Sequence, residues 1–106
     1  MMIRRIWHGW TAPENADAYE ALLKTEILPD IFAKGVQGLE RIELLRHDDG
    51  DEAEFVTIMT FTSLDAVKAF VGDDYETAYV PDAAQAVLKR FDARSRHYEV
   101  KADRTP

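Results

Sequence analysis

Two β-rich runs, residues 39–47 and 55–62, stand on either side of Asp49-Gly50, a dipeptide strongly favoured in tight hairpin turns. A hairpin pinned at mid-chain constrains everything outside it, because each flank must supply whatever covers the hairpin's apolar face. Both flanks have the same grammar of one strand and one helical stretch. Residues 3–11 alternate, with Ile6, His8 and Trp10 on one face and Arg5, Trp7 and Gly9 on the other. Pro13 then suits a first helical turn, with Glu14 and Asp17 well placed for the helix dipole. Tyr19, Leu22, Leu23, Ile27 and Ile31 recur at helical spacing, and Gly35 and Gly38 close the element. Pro29 lies inside that pattern and is expected to kink the helix or split off its last turn.

Beyond the hairpin, Ser63 is a good N-cap with Asp65 in the first turn. Leu64, Val67, Phe70 and Val71 form the apolar stripe, and Gly72 stops the helix. Residues 73–79 show no regular period. Pro81 and Asp82 open another helical turn, with Ala84, Val87 and Leu88 inward. Residues 91–101 read as one last strand, in which Arg94, Arg96, Tyr98 and Val100 alternate with Ser95, His97 and Glu99. Residues 102–106 are expected to fray. The order β-α-β-β-α-β predicts an α+β, ferredoxin-like protomer: four antiparallel strands with helices on one face, in a single domain spanning 1–106 with its ordered core at 2–101. Helices on one face leave the other bare, yet Val56 and Ile58 oppose Phe55 and Met59. A bare apolar sheet face is unusual on a monomer, so a second copy is expected to cover it, as a two-fold homodimer.

Composition narrows the function classes. The chain has 106 residues, 46% hydrophobic and 31% charged, which is a folded domain and not a disordered tail. A net charge of −7 argues against a nucleic-acid binder. The longest uncharged stretch, residues 55–64, falls far short of the roughly 20 residues of a membrane helix. No signal peptide is recognised at the start, so no membrane partner and a cytoplasmic location are expected. Zero cysteines exclude disulfides, thiolate metal sites and a thiol nucleophile.

The remaining chemistry rests on few residues. His8, His47 and His97 lie at no mutual spacing that forms a local metal motif, so no metal is expected. His97 and Glu99 share a strand face, and His8 approaches His97 if the first and last strands pair. Each histidine reads either as a half-buried hydrogen-bonded residue or as a general base. Most aromatics recur at core spacing, but Tyr75 and Tyr79 fall where regular structure weakens and suit the mouth of a pocket. Arg5, Arg94 and Arg96 either pair with acids at an edge or hold an anionic or phenolate substrate. The acid-rich stretch from Asp48 to Glu54 reads as a solvated loop, its spacing not that of a calcium loop. There is no Gly-rich phosphate loop and no nucleophile elbow.

Four stretches together resemble the antibiotic-biosynthesis monooxygenase family of dimeric α+β barrels, over roughly residues 2–101: Ile6-Trp7-His8-Gly9, residues 48–55, residues 63–72, and His97-Tyr98-Glu99-Val100. The last two resemble an uncharacterised bacterial subgroup. The resemblance implies a dimeric barrel and, in one kind of member, oxidation of aromatic polyketides or quinols to quinones by O₂ without a cofactor. Another kind binds and degrades haem. The asparagine and tryptophan these activities use fall at Trp7 and Phe61 here, and the haem-ligand histidine falls near Val80, beside Tyr79. Those departures speak against haem degradation, and no cofactor is expected.

Cofactor-free oxidation needs a base, a dry aromatic pocket and support for an oxyanion. The candidate bases are His97 and His8. The candidate substrate-binding residues are Trp7 as a stacking wall, Tyr98 or Arg94 as the stabiliser, and Tyr75 and Tyr79 at the mouth. The leading reading is a cofactor-independent monooxygenase for a small aromatic or quinol ligand. The alternatives are a non-catalytic small-molecule-binding or stress-related barrel, and another barrel chemistry such as isomerisation.

Overall fold

The computed structural model describes residues 1–106. Strand β1 spans Ile3–Thr11, as its alternation predicts, and its odd-numbered residues are the buried ones. A short 3₁₀ turn at Pro13–Asn15 leads into helix α1 (Ala16–Leu22), a π-helical turn (Leu23–Ile27) and helix α2 (Leu28–Ala33). Strands β2 (Leu39–Asp48) and β3 (Ala53–Phe61) form the expected hairpin. Helix α3 (Leu64–Val71), helix α4 (Asp82–Gln85) and strands β4 (Arg90–Phe91) and β5 (Arg96–Glu99) complete the chain. The antiparallel sheet runs β2-β3-β1, with β4 and β5 both on the free edge of β1.

The π turn has a sequence cause. Tyr19, Leu23, Ile27 and Ile31 are all buried, at a strict spacing of four. An α-helix drifts about 40° every four residues, so the third step would carry Ile31 off the buried face. The wider π turn absorbs that drift. Pro29, which has no N–H to give the preceding turn, sits in the first turn of α2. The split expected at Pro29 therefore falls one turn upstream, and the helix continues past the proline.

Other local signals act as read. The Ser63 hydroxyl accepts from the Ala66 amide at 3.1 Å, and Gly72 ends α3 at φ 91°. At Gly38, φ is 87° and a Cβ would lie 2.6 Å from both Ala66 Cβ and Thr62 Oγ1, so only glycine lets this turn close against α3. The core joins sheet to helices, with Phe55, Phe61 and Val67 fully buried. Tyr19 meets Phe55 edge-on at 4.8 Å, a geometry that adds roughly 0.5–1.5 kcal/mol beyond burial alone.

The last strand departs from expectation. It is not continuous over residues 91–101 but broken into β4 and β5. Ile6 pairs with Arg96 and Gly9 with Phe91, so two residues of β1 face four, Asp92–Ser95, on the other side. Asp92 still donates its amide to the His8 carbonyl of β1 at 2.9 Å, but residues 93–95 leave the sheet and pair with the loop from residue 76 to 78: the Ser95 amide donates to Glu76 at 2.7 Å and the Ala78 amide to Ala93 at 2.9 Å. A one-residue irregularity at Glu40 likewise shifts β2, so that Leu39, Ile42 and Leu44 all face the helices.

Candidate functional site

A cleft opens between the helices and the inner sheet face. Arg5 and Trp7 of β1, Met59 of β3 and Ile42 of β2 form its floor, the π turn and α2 form its roof, and Phe70 and Tyr79 stand at its mouth. It is a small cavity of about 50 Å³, partly open to solvent. Eleven of its fifteen lining residues are hydrophobic, so a ligand here is chosen for apolar surface first.

The one charged residue of the lining is Arg5, only 3% exposed. Its guanidinium donates to the Tyr75 carbonyl, to the Thr77 carbonyl at 3.0 Å, and to His97 Nε2 at 3.0 Å. Burial alone lowers its pKa, to about 10, so the group stays charged at neutral pH. An arginine side chain has no acceptor, so His97 Nε2 must be the unprotonated nitrogen and the proton sits on Nδ1. Desolvation, and then the Arg5 charge, push the His97 pKa below its usual value, against a weaker opposing pull from Glu76. Histidine 97 is thus held neutral, with Tyr75 edge-on to its ring at 5.2 Å.

Trp7 is fixed beside Arg5. Its indole N–H donates to the Asp92 carbonyl at 2.8 Å, within the bulge that breaks the last strand. At the mouth, Tyr79 leans edge-on against Phe70 at 5.5 Å, and the Lys34 ammonium lies 4.3 Å from the Tyr79 ring centre. This is a partly exposed aromatic gate with a cation resting on it.

No protein-family model matches the chain, and no curated protein matches its sequence. Solved structures do match. Rv0793 of Mycobacterium tuberculosis superposes with a TM-score of 0.65 at 18% identity, over 99% of this chain and 100% of that one. A Bacillus cereus protein described as a candidate antibiotic-biosynthesis monooxygenase gives 0.61 at 15% identity, over 99% and 98%. SnoaB, a cofactor-independent oxygenase of Streptomyces nogalater, gives 0.52 at 22% identity, over 98% and 95%.

This chain shares their fold.

Within that fold, the seven residues singled out from sequence divide between places. Trp7 and Tyr79 line the cleft, and His97 and Tyr75 gather around Arg5. His8 and Tyr98 lie on the opposite sheet face. Strands β1 and β5 do pair, but Arg5 is the residue across from His97 and Arg4 the one across from Tyr98, so His8 and His97 are on opposite sides of the sheet. His8 Nδ1 lies 2.8 Å from Glu54 Oε2 and its ring stacks on Trp10 at 6.0 Å, while Arg90 covers the other Trp10 face at 3.8 Å. Arg94 stands in the bulge and meets Glu76 at 3.2 Å, the acid-paired alternative.

At the hairpin end, Glu52 binds Arg90 and Lys89, and Asp48 binds Arg46, so the acidic stretch is partly paired and not simply solvated. No group of three or more His, Asp or Glu side chains is placed to hold a metal ion. No helix is long and apolar enough to cross a membrane. The residue that sequence reasoning undervalued is Arg5. Its signal was present: an arginine that shares a strand face with Trp7 and Gly9 must be buried if that face meets the helices.

Proposed function

We propose that this protein is a cofactor-independent oxygenase of the antibiotic-biosynthesis monooxygenase type, acting on a small aromatic or quinol held in the inner cleft. The observation that carries the reading is a buried Arg5 in the lining of a mostly apolar cleft, hydrogen-bonded from there to a neutral His97 that itself borders the broader hollow shared with His8, Tyr75 and Tyr98. SnoaB, which shares the fold, is a cofactor-independent oxygenase, which supports the assignment. The substrate supplies its own electrons. A ring CH₂ activated by a neighbouring phenolate and oxidised by O₂ becomes a carbonyl, with the second oxygen atom leaving as water. The chain's share is to orient the ring, exclude water and move one proton. A substrate hydroxyl that takes over the Arg5 donor frees the His97 Nε2 lone pair, and that nitrogen accepts the hydroxyl proton. Arg5 then holds the oxyanion, Trp7 walls the ring, and Tyr79 closes the mouth; Tyr75, expected at the mouth, instead packs on His97 outside the cleft lining.

The working unit in this reading is a homodimer. The outer sheet face brings Ile6, Val56, Ile58 and Leu45 together at its centre, with Leu45 46% exposed. Arg4, Glu43, Arg96 and Glu54 surround them, an apolar centre within a charged rim that suits a second copy. On this reading His8 and Tyr98 belong to the subunit contact rather than to the chemistry.

One observation favours the second reading, a non-catalytic ligand-binding barrel. Arg5 occupies the only free lone pair of His97, so the cleft as it stands presents no available base. O₂ consumption with hydroquinones and anthrone-like phenols separates the two. An oxygenase consumes O₂ at a rate that His97→Ala abolishes. A binding barrel is stabilised by the same compounds without turnover.

A further inference from the structure

We infer that Arg5 makes the cleft a site for small aromatic anions, with the ring against Trp7 and a carboxylate or phenolate oxygen on the guanidinium. This deepens the proposal above and rests on its reading of the cleft as the ligand site. A buried guanidinium needs compensation, and Arg5 has no carboxylate partner: its contacts are two carbonyls and a neutral imidazole. The acid that lies between those two carbonyls, Glu76, turns outward to Arg94 at 3.2 Å.

Clamping the loop from residue 75 to 77 explains part of the arrangement but not all of it. A guanidinium has five N–H donors, and three are used. Two have no protein partner, on a side chain that is 97% buried (3% exposed) and lines the cleft. In a chain of net charge −7, a buried cation that pairs with no acid suits an anion brought by a ligand. Trp7 stands two residues along the same strand face, about 7 Å on. Arg5 and Trp7 line the same cleft, and the planar N–H fork suits a planar carboxylate or an aromatic oxygen.

The test compares matched ligands on the full chain by calorimetry: benzoate against benzamide, which have the same ring and shape but differ in charge. At least tenfold tighter binding of benzoate is expected, with the preference for benzoate over benzamide lost in Arg5→Met. A parallel titration follows 4-nitrophenol through the colour of its anion. A phenolate on Arg5 lowers its bound pKa by about one unit, equal to a tenfold preference for the ionised form.

Benzoate preference identifies a carboxylate site and a lowered phenol pKa a phenolate site, and either upholds the inference. Neither occurring, or a preference that survives Arg5→Met, overturns it. If Arg5→Met does not fold, the Arg5 Nε–H resonance of the ¹⁵N-labelled wild type decides: benzoate or the phenolate must shift it, and at lower concentration than benzamide does. The oxygenase reading fails separately, by an absence of O₂ uptake while these anions still bind.

Discussion

Gly9→Ala probes the wall of the cleft without touching its polar end. A Cβ at Gly9 would lie 2.5 Å from Trp7 Cη2, 3.0 Å from Cζ3 and 3.1 Å from Leu88 Cδ2. The Gly9 backbone has no positive φ, so alanine meets no intrinsic strain there and any loss reports the ring. The indole cannot slide away freely, because it is 8% exposed and its N–H is held by the Asp92 carbonyl at 2.8 Å. Overpacking of this kind costs about 1–3 kcal/mol, and a buried hydrogen bond broken on one side about 1–3 kcal/mol more. Restricting the unfolded chain returns roughly 0.4–1 kcal/mol. The expected net destabilisation is therefore about 2–4 kcal/mol, read from urea unfolding with an unchanged m-value. Trp7 fluorescence should shift to the red in a Trp10→Phe background as the displaced ring meets water. A loss below about 0.5 kcal/mol with an unmoved spectrum would refute the packing of Trp7 described here.

Three further outcomes are expected. Ser63→Ala removes the hydroxyl that caps α3 at 3.1 Å, and stability measured by urea unfolding should fall by about 1 kcal/mol. His97 is held below its usual pKa of 6.5, so between that folded value and 6.5 the unfolded chain binds more protons. Stability should therefore fall as pH drops below about 6.5 and flatten once pH passes below the folded pKa; His97→Gln should remove this component, as seen in Tm against pH. Glu20, Asp48 and Glu52, whose pKa values are lowered chiefly by hydrogen bonds from Arg46 and Arg90, lose stability only at lower pH, below about 4.5. Light scattering should show a dimer at micromolar concentration, and Ile58→Glu, at the centre of the outer face, should give a monomer.

Features set by short-range chemistry were legible in the sequence. The alternation of β1, the Asp49-Gly50 turn, the Ser63 cap and the Gly72 stop each act within a few residues, and each stands where it was read. The break in the last strand was not legible, for a definite reason. An insertion of two residues preserves a period of two, so Phe91 and His97 keep the same parity on either side of the bulge while the strand leaves the sheet between them. Parity also misled the reading of His8 and His97: pairing brings two strands together, but only register decides which side chains share a face. The strand face that carries Arg5 was legible beside Trp7 and Gly9, but its burial was not read from it, and its lack of an acid partner depends on where Glu76 turns, which no local pattern encodes.

Ligands in this reading bind between helices and sheet, against Arg5, and not across the outer face. Mapping the amide and indole resonances of the ¹⁵N-labelled protein during titration with a hydroquinone or benzoate tests this most directly. The Trp7 indole and the amides of Arg5, Tyr79 and His97 should shift together, with the Trp10 indole unmoved. Shifts centred on Trp10, His8 and Tyr98, with Trp7 silent, would put the site on the other side of the sheet and contradict the account.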